Sequence, residues 1–145
     1  MLEIRKLQDG DLEYVRANPY EDAVKVYPKF PPSPDSWTCV FDGEIVAVGG
    51  IVDYWSGVGE MWLMLTKQAR KHDIFGLIAF GAIEKKMNEL VKSHKLRRVE
   101  ASVRADFPKA IKFIKALGFQ YEGRKRKYTP DGKDLFIYAR LICQN

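Results

Sequence analysis

The chain has few of the residues that cross-link small folds or hold metals: its 145 residues include only two cysteines and two histidines. Cys39 and Cys143 cannot build a disulfide framework or a cysteine-rich zinc site, and the two histidines stand far apart, so no metal centre is expected. A reduced, intracellular protein is the expectation. Long hydrophobic runs are also missing. The longest apolar stretch, Ile45 to Val52, falls far short of the roughly 20 residues that span a bilayer, and the acidic Glu3 beside Met1 spoils a secretory signal pattern. No membrane association and a cytoplasmic location are therefore expected. Neither a Gly-x-Ser-x-Gly elbow nor a Walker loop is present, which argues against the common hydrolase and nucleotide-triphosphatase machineries. Internal repeats and low-complexity tracts are absent too.

What is present is an ordinary globular balance, 46% hydrophobic and 30% charged residues, in a length suited to one domain covering residues 1–145. Lysine and arginine total 24 against 19 acidic residues, a net charge of +5. That excess would suit a phosphate-bearing small molecule or nucleic acid. Arg97, Arg98 and Arg124 to Lys127 are its densest clusters, but no RNA-binding motif with interleaved aromatics accompanies them, so nucleic acid is not the expected partner.

Leu2, Ile4 and Leu7 alternate with polar residues and predict an opening strand, followed after Gly10 by a helix through Leu12, Val15 and Ala17. Asn18, Pro19 and Glu21 read as the start of a second short helix ending near Tyr27, and the prolines between Pro28 and Ser36 predict a loop. Trp37 to Phe41 and Glu44 to Val52 flank Asp42-Gly43, the signature of a tight hairpin. An aromatic loop over Asp53 to Gly59 leads to a buried strand, Glu60 to Thr66. A long helix should then run from about Gln68 or Asp73 to Ser93, its apolar stripe carried by Phe80, Ile83, Met87 and Leu90. Val99, Ala101 and Val103 predict the next strand. Pro108 opens a helix that Gly118 stops, and two strands, Phe119 to Tyr128 and Leu135 to Leu141, close the chain around Pro130, Asp131 and Gly132. The order β, α, α, β, β, β, α, β, α, β, β predicts an α/β (α+β) fold: a single-domain, mixed, mostly antiparallel twisted sheet flanked by helices.

That order, with Ile4-Arg5 and Asp11-Leu12 at the start and Ala116-Leu117-Gly118-Phe119 near the end, resembles the GNAT (GCN5-related N-acetyltransferase) superfamily over nearly the whole chain. The resemblance implies transfer of an acetyl group from acetyl-CoA to a primary amine, carried by a small molecule or a protein. In such enzymes the fourth strand splays from the fifth and holds the pantetheine arm, and the next helix start cradles the pyrophosphate, as helix N-termini do for anions. By resemblance, Leu63, Met64 and Leu65 line the arm, while Arg70, Lys71 and Gly76 meet the pyrophosphate. Glu60 matches the general base that takes the proton of the attacking amine, and a backbone N–H near Leu65 stabilises the oxyanion. A strand-start glutamate facing water is the plain alternative for Glu60, and a solvated helix start is the alternative for Lys67, Arg70 and Lys71.

The sequence departs from the family pattern in four places. Asp73 and Phe75 stand where the phosphate loop has small residues, Phe107 where many members have a cofactor-contacting asparagine, and Ile114 where a tyrosine acid is frequent. His72 and His94 read as surface histidines, and Tyr54 to Gly57 as an aromatic loop beside the acceptor channel. Trp62 to Thr66 with Lys71-His72, and Ile111 to Phe119 with the aromatic strand after Gly132, also look like a phage-encoded GNAT-like family of internal virion proteins or acetyltransferases that lacks the glycine loop. That likeness implies an alternative, a non-catalytic virion component or binding module in the host cytoplasm or virion. A homodimer and virion proteins are then further expected partners.

Overall fold

The structure is a computed structural model that describes residues 1–20, 34–72, 74 and 76–143. Its elements run β1 (Leu2–Lys6), α1 (Asp11–Ala17), β2 (Trp37–Phe41), β3 (Glu44–Trp55), β4 (Val58–Leu65), α2 (Gln68–Lys71), α3 (Leu77–Ser93), β5 (Arg98–Arg104), α4 (Pro108–Ala116), β6 (Gln120–Lys125) and β7 (Leu135–Leu141). The strands form one sheet in the order β1-β2-β3-β4-β5-β7-β6. Every neighbouring pair is antiparallel except β4 with β5, which run parallel. This is the mostly antiparallel α+β architecture that the element order predicts, with helices flanking the sheet.

Turn chemistry fixes the register of the first hairpin. Asp42 and Gly43 both adopt positive φ, 48° and 81°, the conformation whose twist matches two antiparallel strands. A second tight turn at Ser56 and Gly57, with Gly57 at φ 86°, joins β3 to β4. The aromatic loop expected over Asp53 to Gly59 is therefore mostly strand. Tyr54 and Trp55 finish β3, and Val58 and Gly59 begin β4, because cross-strand pairing extends almost to the turn.

Alternate residues of the central strands, among them Cys39, Ala47, Ile51, Met61, Val99 and Ala101, form one core with Ile83, Met87 and Leu90 of α3 and Phe113, Ile114 and Leu117 of α4. The stripe expected for α3 is thus the buried one. Trp37 is 2% exposed, and its ring lies in the space left by Gly49 across the β2–β3 pair, where a Cβ would stand 2.6 Å from the indole.

The opposite face carries Thr38, Val48, Glu60 and Ser102 by strand alternation. Asp11 pins α1 to it. The buried Asp11 carboxylate accepts hydrogen bonds from Arg5 at 2.7 Å, Thr38 Oγ1 at 2.6 Å and the Gln8 amide at 2.9 Å. Burial alone would push its pKa up, but those donors outweigh the effect and hold it below the ordinary carboxylate value.

Three further expectations are revised. The single helix from Gln68 or Asp73 to Ser93 is two helices, α2 and α3, with Ile74 and Gly76 between them. The last hairpin is shorter than expected on its first arm, since β6 ends at Lys125. Asn18 caps α1, and Pro19 forms an isolated bridge with Thr66 instead of opening a helix. The rest of that expected helix, through Tyr27, and most of the proline loop lie outside the described residues, as do Asp73 and Phe75.

Candidate active site

The parallel pair that makes the fold mixed is also its widest irregularity. β4 and β5 pair only over Val58↔Arg98, Gly59↔Val99 and Glu60↔Glu100. Beyond that point β4 stays with β3 as far as Ala47↔Leu65, and β5 stays with β7 as far as Arg104↔Leu135. The two strands fork at Glu60 and Glu100. The Thr66 amide donates to Val46 O at 3.0 Å, which sets the alternation along β4. Residues 60, 62 and 64 then turn their backbone groups to β3, while Leu63 and Leu65 turn theirs into the fork. Of the three residues expected to line an acyl-carrier arm, Leu63 and Leu65 present their backbone to it, and Met64 presents its own to Val48.

Glu60 stands at the base of the fork, half-buried. One carboxylate oxygen, Oε2, accepts a hydrogen bond from the Tyr54 hydroxyl, and the other, Oε1, accepts one from Ser102 Oγ at 3.2 Å. Three adjacent strands thus meet on one carboxylate. Its neighbour Glu100 is neutralised by Arg98, whose Nε lies 2.8 Å from Glu100 and whose terminal nitrogens hold Glu122 at 2.6 and 3.0 Å. Among the described residues no salt bridge reaches Glu60. Trp55 is 65% exposed, and the hydroxyls of Tyr54 and Ser102 are what contact the Glu60 carboxylate. The Tyr54 phenol is held above its ordinary pKa, first by burial and then by the Glu60 carboxylate, so it stays a donor across the neutral range.

At the other end of the fork the chain fills space with its own aromatics. The Tyr20 amide donates to Leu65 O at 3.0 Å, and the Lys67 amide donates to Asn18 O at 2.9 Å, so residues 18–20 lie against the free edge of β4. The Tyr20 ring stacks on Phe107, the residue before α4, with centroids 5.4 Å apart. Arg70 lies over the same ring, its guanidinium carbon 4.4 Å from the centroid. The residues expected to meet a pyrophosphate are therefore dispersed: Arg70 turns to Tyr20, while Lys71 Nζ lies 2.8 Å from Glu44. His72 bonds the same Glu44 oxygen at 3.0 Å and stacks on Phe41, a more enclosed place than a surface histidine. Gly76 caps α3 in extended conformation, φ −77° and ψ 172°, at the start of a helix long enough to present an N-terminal anion site. Ile114 is a core residue, 5% exposed.

Sequence reasoning missed the Tyr54–Glu60–Ser102 contact, although the Ser56-Gly57 turn was the available signal, because a tight hairpin there folds Tyr54 back beside Glu60. It also missed a clamp around His94. That ring bonds Asp35 at 2.6 Å through Nε2 and Asp53 at 2.9 Å through Nδ1, tying the end of α3 to the outer end of β3. Burial pushes the imidazole pKa down, yet the two carboxylates outweigh it and leave it raised.

No family model matches the chain, and no curated protein sequence does either. Solved structures match it closely in shape. An acetyltransferase (GNAT family) from Bacillus anthracis aligns with a TM-score of 0.71 at 19% identity, covering 97% of this chain and 94% of that one. The ribosomal-protein-S18-alanine N-acetyltransferase from Escherichia coli aligns at 0.70 and 19% identity, covering 100% and 96%. Spermidine N-acetyltransferase from Vibrio cholerae, in complex with CoA and spermine, aligns at 0.72 and 12% identity, covering 97% and 95%. Among the described residues no helix is long and apolar enough to cross a membrane. Identities this low speak for architecture: the forked, seven-stranded sheet of this chain is the GNAT fold.

Proposed function

We propose that this protein transfers an acetyl group from acetyl-CoA to a primary amine, with Glu60 as the base. The observation that carries this reading is the placement of Glu60. A carboxylate without a salt bridge among the described residues stands at the fork of β4 and β5, beside the backbone edge of Leu63 and Leu65. Bound acetyl-CoA would supply the activated thioester. Leu63 and Leu65 would hold its arm through their backbone groups, and the α3 start at Gly76 would meet its phosphates, joined by Arg70 and Lys71 once these leave Tyr20 and Glu44. Glu60 would accept the proton of the attacking amine, directly or through water, and the Leu65 N–H would stabilise the oxyanion that develops. With Ile114 in the core, the thiolate would depart without a tyrosine acid from α4. The acceptor would be a small-molecule or protein amine; one structural neighbour binds spermine. A cytoplasmic location goes with this chemistry.

A second reading is favoured by the Tyr20–Phe107 stack and the occupied Leu65 carbonyl: a non-catalytic GNAT-fold protein, a phage virion component or binding module, with the fork closed by its own side chains. Titration with acetyl-CoA separates the two. Under the first reading acetyl-CoA raises the melting temperature with the logarithm of ligand excess, because it binds the folded state alone, and Glu60→Gln lowers turnover by about 10³-fold while keeping that shift. No shift and no turnover with any amine would leave the second reading standing.

A further inference from the structure

Glu60 is gripped from both flanks, and the two grips differ. Tyr54 reaches it from β3 by way of a bulge. Asp53 pairs with Gly59 and Trp55 with Val58, so Tyr54 is the extra residue between two consecutive pairs. Bulges of this kind bend a strand and re-aim a side chain. Here the bulge brings the phenol of Tyr54, itself 46% exposed, onto Oε2 of Glu60. Ser102 approaches Oε1 from β5 at 3.2 Å, beyond the usual O–H···O range.

We propose that Tyr54 is a positioning residue for the base. Its hydroxyl fixes Oε2 of Glu60 so that Oε1, held only by the weaker Ser102 contact, is the oxygen that receives the amine proton. This rests on the acetyl-transfer reading above. The geometry gives Tyr54 a role that bulk alone would not. A phenol donor on one oxygen stops the carboxylate rotating and leaves Oε1 with only the Ser102 hydroxyl to exchange, among the described residues. Ser102 is exchanged easily, because its hydrogen bond is long and its side chain exposed. Once the proton reaches Oε1, the neutral acid keeps the Tyr54 bond on Oε2 as its carbonyl oxygen, so the same geometry serves before and after transfer.

The test is a double-mutant cycle on the full chain, with acetyl-CoA and a primary amine on which the wild type turns over. Tyr54→Phe should lower kcat about tenfold or more, the order expected for losing a hydrogen bond to a charged group, with KM for acetyl-CoA and the melting temperature unchanged. Loss of a phenol outside the site, Tyr121→Phe on β6, should leave turnover within about twofold of wild type. In the Glu60→Gln background, Tyr54→Phe should cause no further loss, because the two residues act as one unit. Wild-type turnover in Tyr54→Phe, or the same loss in both backgrounds, would overturn the positioning role while leaving Glu60 as base. Full turnover in Glu60→Gln would instead remove Glu60 as the base and this inference with it, and no turnover in the wild type would remove the acetyl-transfer reading as well.

Discussion

At Glu60, β4 offers the fork a carboxylate bound, among the described residues, by two hydroxyls; five residues on, at Leu65, the same strand offers a backbone carbonyl already taken by Tyr20, whose ring stacks on Phe107. One end is polar and open to an incoming amine, and the other is apolar and filled from within. The contrast locates the question of activity. Under the proposed reading Glu60 already holds its two hydroxyl donors, and turnover then depends on whether the filled end yields to a ligand. It also separates two kinds of evidence. The fold neighbours speak to the shape of the fork, while only the side chains within it speak to use.

The largest effect should come from the polar end. Glu60→Gln is expected to lower kcat by about 10³-fold, within the range that general base catalysis contributes, while affinity for acetyl-CoA persists; steady-state kinetics and a thermal shift measure the two separately. Next comes the anchor of the filled end. Residues 18–20 reach β4 because α1 is pinned by Asp11, and Asp11→Ala strands Arg5 and Thr38 and should destabilise the protein by about 3 kcal/mol in denaturant unfolding. The sign with pH follows from the lowered Asp11 pKa: its contribution is whole above the ordinary carboxylate value and is lost as pH falls through the folded one.

A smaller change is expected from Phe107→Ala, which removes one ring of the stack without touching Glu60. Acetyl-CoA should then bind about fivefold more tightly by calorimetry, a shift of roughly 1 kcal/mol. Weaker binding would mean that the ring supports the site instead of blocking it. The smallest effect belongs to the His94 clamp beside Tyr54. Because its pKa is raised from 6.5, the clamp's stabilisation is complete below that value and fades as pH climbs through the folded pKa. Melting temperature should therefore fall by a few degrees across this window in the wild type and stay flatter in His94→Gln.

Most of the sheet was legible because period-two patterns and the Asp42-Gly43 turn leave little freedom: Trp37 to Phe41 and Val99 to Val103 sit where alternation puts them. Glu60 was legible as a candidate through the family resemblance, and the structure places it in β4 where that strand parts from β5. The failures share one cause. Tyr54 and Trp55 look like loop residues next to a glycine, yet cross-strand pairing carries β3 past them, and a bulge is not visible in composition. Tyr20 on Phe107 and His94 between Asp35 and Asp53 are contacts over tens of residues, set by how elements dock and not by any local spacing.

The indole seated over Gly49 carries a consequence for how this sheet can change. A side chain at 49 would meet both that ring and the backbone carbonyl of Trp62, the latter at 2.8 Å, so shrinking position 37 alone opens no room. Among relatives that keep this part of the fold, glycine should persist at 49 even where the residue at 37 is smaller.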